Sequence, residues 1–289
     1  MNHLGIVVGM MAILLLIFVI RKFSVERRME RDRIKKGLII IKHIEKIVAV
    51  TQQHRGISNA IQQGNISLKP QLIAIEEKLD HLITEGSNLD LSIFSQWKSF
   101  AENWPILKKH SLDCDLKPQE LMRQHNEMIE EQLSLFDVIT RYYNLHTIML
   151  DDINHASELC LDMLRVVEAI AQARGVGAGI CAKGKCEGVD KINLNALKIF
   201  VTSSTKELFN ELKDVRNPKL SEQFSVSSRN IKDTADRLVD VIEHQVLIDG
   251  NIEINSKDYF TLATKPIDEL LKAFNNTVAF VSRHEVNIH

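Results

Sequence analysis

Helix-breaking residues are scarce in this sequence, with 5 prolines and 12 glycines in 289 residues. That scarcity excludes a collagenous, proline-rich or linker-like chain. Four cysteines in so long a chain exclude a disulfide framework. There is no excess of one charge either: 36 Lys and Arg stand against 38 Asp and Glu, a formal net charge of −2. Nothing global therefore points to nucleic acid or an acidic substrate, and no run reads as an RNA- or DNA-binding motif. No stretch alternates strictly enough to argue for a sheet. No Gly-x-Ser-x-Gly elbow, phosphate-binding loop or kinase signature occurs, and no two of the 11 histidines fall at His-x3-His spacing. The expectation is a protein without catalytic residues, metal or cofactor.

What the sequence does have is apolar residues, 45% of the total, enough for a sizeable core in one long domain or two short ones. From Leu4 to Ile20 no charged side chain interrupts them. A run of about 17–20 apolar residues just spans a bilayer core as a helix, so residues 1–22 are expected to be an uncleaved transmembrane anchor. Arg21, Lys22, Arg27, Arg28, Arg31, Arg33, Lys35 and Lys36 crowd its C-terminal flank, while the N-terminal flank has no Lys or Arg. Basic residues stay on the cytoplasmic side, which predicts a single-pass protein of the bacterial inner membrane with its body in the cytoplasm. Residues 23–41 then form a basic juxtamembrane helix, which either touches anionic headgroups or simply fixes the topology.

Beyond that point helical periodicity continues almost throughout. Breaks at Gly64-Asn65, Glu85-Gly86, Trp104-Pro105 and Lys183–Gly188 separate segments expected at about 25–63, 70–83, 89–103, 118–143, 150–180, 191–213, 218–246 and 256–284. The predicted fold class is all-α: an N-terminal transmembrane helix, then long antiparallel helices in one elongated or two stacked four-helix bundles.

Two segments echo one another. Gln53-His54-Arg55-Gly56-Ile57-Ser58 and Gln172-Ala173-Arg174-Gly175-Val176-Gly177 both read Gln-x-Arg-Gly-(Ile/Val)-small. Stepping back by threes and fours from Arg55 gives Thr51, Val48, Ile44 and Ile41; from Arg174 it gives Ala171, Val167, Leu164 and Cys160. Each arginine thus lies on the apolar stripe of its helix and points inward, where a charge needs a partner. None of the residues one turn away is acidic. An anion shared between the two helices satisfies both guanidiniums; a carboxylate from another helix, such as Asp151, Asp152, Glu127 or Glu130, does so equally. Gly56 and Gly175 allow close backbone approach beside each arginine, and Thr51, Gln52 and Ser58 offer neutral donors. A guanidinium's parallel N–H groups suit a planar or carboxylate-like anion.

The stretch Val50-Thr51-Gln52-Gln53-His54-Arg55-Gly56-Ile57-Ser58 resembles the Q-x-x-R-G-L-S signature of nitrate- and nitrite-sensing (NIT) domains. The later Ala-Arg-Gly segment resembles that family too, as does Tyr259-Phe260-Thr261-Leu262-Ala263-Thr264 with Ile267-Asp268. The resemblance implies an all-helical sensor domain over 42–286, with nitrate or nitrite as ligand and Arg55 and Arg174 as the residues that bind it. It departs at His54, where the family commonly has Glu. The function expected is a membrane-anchored sensor that passes its signal to a separate protein, possible as a homodimer, because nothing in the chain reads as an output domain. The rival expectation is a membrane-anchored helical scaffold for protein–protein contacts without a small ligand. Cys181 and Cys186 form a Cys-x4-Cys pair with no second pair or nearby histidine, too little for zinc; whether they form a disulfide stays open.

Overall fold

The computed structural model describes residues 2–286, with side chains described for residues 10, 11 and 13–286. Among the described residues eight α-helices follow one another: α1 (Asn2–Gln62), α2 (Lys69–Asn88), α3 (Ser95–Asp113), α4 (Pro118–Tyr142), α5 (Ala156–Lys183), α6 (Gly188–Asp214), α7 (Pro218–Val241) and α8 (Ser256–Val281). Short π turns carry α7 on to Val246 and α8 on to Val286. Local chemistry sets the starts. Asn217 and Asn255 accept from the backbone N–H of Lys219 and Asp258, and proline opens α4 and α7 where its missing N–H costs nothing.

The helices form two four-helix groups. In the first, α1 packs on α2 and α4, and α3 on α4; in the second, α5 packs on α6 and α8, and α7 completes the set against both. α1 and α4 meet α5 along the seam between the groups. The core is continuous across it, with Phe136 of α4 and Phe274 of α8 approaching to 6.1 Å between ring centroids. Ile40, Ile44 and Ile47 of α1 are fully buried, each worth about 1.5–3 kcal/mol of transfer free energy.

Two expectations need correction. Among the described residues no helix is long and apolar enough to cross a membrane. This overturns the anchor at 1–22, the membrane partner, the orientation and the inner-membrane localisation drawn from it. The physical reason is length: the apolar side chains described run from Met10 to Ile20, roughly 16 Å at 1.5 Å per residue and about half of a hydrocarbon core of about 30 Å, and Arg21-Lys22 follow at once. The side chains of residues 4–9 and of Ala12, in the same run, lie outside those described. The second correction concerns Trp104-Pro105, which does not end a helix. α3 runs through Pro105 to Asp113, because Trp104 and Leu107 are buried on either side and Trp104 Nε1 donates to Asp80 of α2 at 2.6 Å. Those contacts outweigh the lost backbone bond.

Candidate functional site: two buried arginines and one glutamate

The seam between the two helical groups holds the charged centre. Arg55, near the end of α1, is 1% exposed and ranks among the largest fully buried side chains. It meets Glu168 of α5 in a forked ion pair, Nη1 to Oε1 at 2.5 Å and Nη2 to Oε2 at 3.1 Å, and its Nη1 also donates to Asn126 Oδ1 of α4 at 2.7 Å. Glu168, 4% exposed, accepts further bonds from Gln52 Nε2 at 2.9 Å and Gln172 Nε2 at 2.8 Å. Four donors from two helices therefore hold one buried carboxylate, the arrangement an ionised group needs away from water.

Arg174 is placed differently. It is 6% exposed, and among the described residues it makes no ion pair. Its Nη1 donates to Thr264 Oγ1 at 3.1 Å, and its guanidinium lies over the Phe260 ring at 4.6 Å from the centroid. Burial, and then the positive charge of Arg55, pull its pKa down from the ordinary arginine value to about 10; the exposed Asp268, and then Glu168, oppose them. Two guanidiniums and one carboxylate leave the centre with a net charge of +1.

The expectation of two inward arginines is met, but Arg55 does have a carboxylate. That partner is none of the four considered: Glu127 pairs with Arg123, and Asp151 binds backbone N–H groups of Ile153, Asn154 and Arg216. Glu168 went unnoticed because it lies six residues before Arg174, outside the one-turn neighbourhood. Its signal is a single acid inside the apolar stretch from Val166 to Ala171. Asn126, on α4, carries no local signal, whereas Phe260 and Thr264 of α8 lie in the Tyr259–Thr264 stretch that the resemblance marked without a role. Of the suggested neutral donors, Gln52 reaches Glu168. Thr51 is engaged elsewhere, donating to Ile47 O and accepting from Gln132 Nε2. Ser58 is fully buried and its hydroxyl has no partner among the described residues. Gly56 and Gly175 stand beside their arginines, half-buried. Cys181 and Cys186 are buried free thiols, and burial raises both pKa values.

His54 adjoins Arg55 and heads a second buried network. Its Nδ1 meets His125 Nε2 at 2.8 Å and its Nε2 meets Glu76 Oε1 at 3.3 Å, while His125 Nδ1 meets the Leu121 carbonyl at 2.8 Å. A carbonyl only accepts, so His125 Nδ1 carries a proton, and a neutral His125 accepts at Nε2. His54 then donates through Nδ1 and accepts at Nε2, which a protonated Glu76 satisfies. Burial drives the network to this neutral form: it lifts Glu76 to about 7, lowers His54 to about 3 and pushes His125 well below the usual histidine range. Glu76 thus brings a carboxyl group from α2 against His54, beside Arg55.

Fold and site together define an all-helical protein of two joined four-helix groups with a charged centre sealed in the seam. The sequence matches no protein-family model and no curated protein. The structure is similar to that of the NasR transcription antiterminator, with a TM-score of 0.68 at 14% identity, over 93% of this chain and 75% of that one. At that identity the likeness establishes the fold alone.

Proposed function

We propose that this protein is a sensor of a small planar monoanion, nitrate or nitrite, bound at Arg174 beside the Arg55–Glu168 pair, and that it passes the bound state to a separate protein. The observation that carries the reading is the charge of the buried centre. Arg55 is neutralised by Glu168, whereas Arg174 retains a full charge with one neutral hydrogen bond and one aromatic face. A single negative charge brings the sum to zero; a divalent anion overshoots it. The unpartnered Ser58 hydroxyl, one turn beyond Arg55, adds a donor. The resemblance of both Arg-Gly segments to nitrate- and nitrite-sensing domains supports the choice of ion, and the fold shared with a transcription antiterminator supports a regulatory output.

Thermal unfolding of the full chain in sodium nitrate, nitrite, sulfate and chloride at equal ionic strength tests this. Ligand at a hundred times its Kd adds about 2.7 kcal/mol, a rise of roughly 4–5 °C for a chain of this size. Nitrate or nitrite should give that rise, and Arg174→Met should abolish it. An equal response from Arg174→Met, or from chloride, rules the site out.

A further inference from the structure

The centre is buried, so an anion needs a way in, and two openings flank the α1–α5 seam, sharing Asn59, Gln63 and Gly179 in their linings. One is a groove of 990 Å³ between α1, α4, α5 and α6, whose floor includes Asn126 and Gln172, the residues bonded to Arg55 and Glu168. The other is a chamber of 640 Å³ between α1, α2, α5 and α8, bordered by Gly56, Gly175, Phe260 and Lys257. We infer that the chamber is the route by which the anion reaches Arg174, with Phe260 as the ring that closes it. This rests on the oxyanion reading above.

Charge separates the two openings. The groove presents Glu127, Glu130, Glu131 and Asp190, and its cations are spent locally: Arg123 pairs with Glu120 and Glu127, Lys183 with Asp190. Its floor amides are already committed to the ion pair. The chamber has no Asp or Glu in its lining and carries the exposed Lys257. An anion is repelled from the first and drawn to the second.

The glycines agree. Gly177 is dictated by packing, since a Cβ there would lie 2.2 Å from the Tyr259 ring, whereas at Gly179 it would meet only the terminal amide of the exposed Gln63 side chain, which can swing aside. Gly175 is not: a Cβ there meets nothing within 4 Å, and at Gly56 the nearest atom is Phe260 Cε2 at 3.9 Å. Glycine inside a helix costs about 0.5–1 kcal/mol relative to alanine, so packing gives no reason for either. Both border the chamber, and their missing side chains leave its volume free and give the Phe260 ring room to turn off Arg174.

Phe260→Trp keeps an aromatic ring over Arg174 and supplies a fluorescent reporter for stopped-flow mixing with sodium nitrate, with calorimetry giving Kd. In that background Gly175→Leu fills the chamber. It should slow association and dissociation together, each by roughly tenfold or more, with Kd held within about threefold. Lys257→Glu, at an exposed position, should slow association by a similar factor, more at low salt, while Lys183→Glu in the groove does not. Circular dichroism melts verify folding, and Lys257→Glu decides should Gly175→Leu fail to fold. Nitrate binding with rates untouched by Gly175→Leu and Lys257→Glu overturns the route alone. A chain that binds no nitrate overturns the oxyanion reading and the route with it.

Discussion

Arg55 and Arg174 carry the same side chain at matching motif positions, yet their replacement by methionine should have unequal consequences for stability. Arg55→Met leaves Glu168 in the seam with only the amides of Gln52 and Gln172. Stranding a buried charge costs about 3–5 kcal/mol, a fall of roughly 5–8 °C in Tm at about 0.6 kcal/mol per degree for a chain of this length. Arg174→Met gives up one hydrogen bond, worth about 0.5–1.5 kcal/mol, and one cation–π contact, worth about 0.5–2 kcal/mol. Against that it removes a cation whose pKa burial pulls down from the ordinary arginine value to about 10. At about 1.4 kcal/mol per unit that shift is about 3 kcal/mol of unfavourable burial. The contributions offset, and methionine fills much of the vacated volume, so the expected change is within about 1 kcal/mol of zero. Melts followed at the helical dichroism band in dilute chloride buffer read both variants. Equal losses from the two substitutions, or a larger loss from Arg174→Met, refute the assignment of a paired and an unpaired arginine.

Further consequences concern the neighbouring network and the glycines. Between about pH 4.5 and 6.5 the folded chain keeps His54 and His125 neutral and Glu76 protonated, whereas the unfolded chain charges all three. Unfolding there takes up two protons on the histidines and releases one from the carboxyl, so this cluster makes stability fall on acidification with a net slope of one proton. Glu76→Gln removes the release and should steepen the fall by about 1.4 kcal/mol per pH unit; melts from pH 7.5 to 5 with an unchanged slope argue against a protonated Glu76. Gly175→Ala should raise stability by about 0.5–1 kcal/mol, since it adds helix propensity without a clash. Gly177→Ala should lower it by about 1–3 kcal/mol by displacing Tyr259, whose hydroxyl donates to Ala173 O at 3.0 Å. Reversal of that order counts against the packing described around α5 and α8.

Much of this architecture is written locally. Three-and-four spacing places Arg55 and Arg174 on apolar stripes, and Asn217-Pro218 and Asn255 mark helix starts, because those signals act within a turn or two of chain. The apolar run before Arg21 misled for the complementary reason: composition suggests a span, but length decides whether it reaches across a bilayer. What could not be read was who faces whom. Glu168 is bonded to Arg55 across a sequence separation of 113, and Phe260 sits on Arg174 from α8. No periodicity along one helix encodes the register of another. Pro105 teaches the same lesson in reverse, a local stop signal overruled by Trp104 and Asp80.

The length of α1 has a mechanical consequence. The helix bearing Arg55 extends without interruption to Asn2, and among its described side chains the bonds to the helical body begin at Glu30, bonded to Asn144, and Arg33, bonded to the Tyr142 carbonyl. The part before Glu30 is roughly 40 Å long at 1.5 Å per residue. By geometry alone a tilt of about 5° at the body, an adjustment of an ångström or so among packed side chains, would carry Asn2 through roughly 4 Å, so that small displacements at the charged seam are magnified along α1.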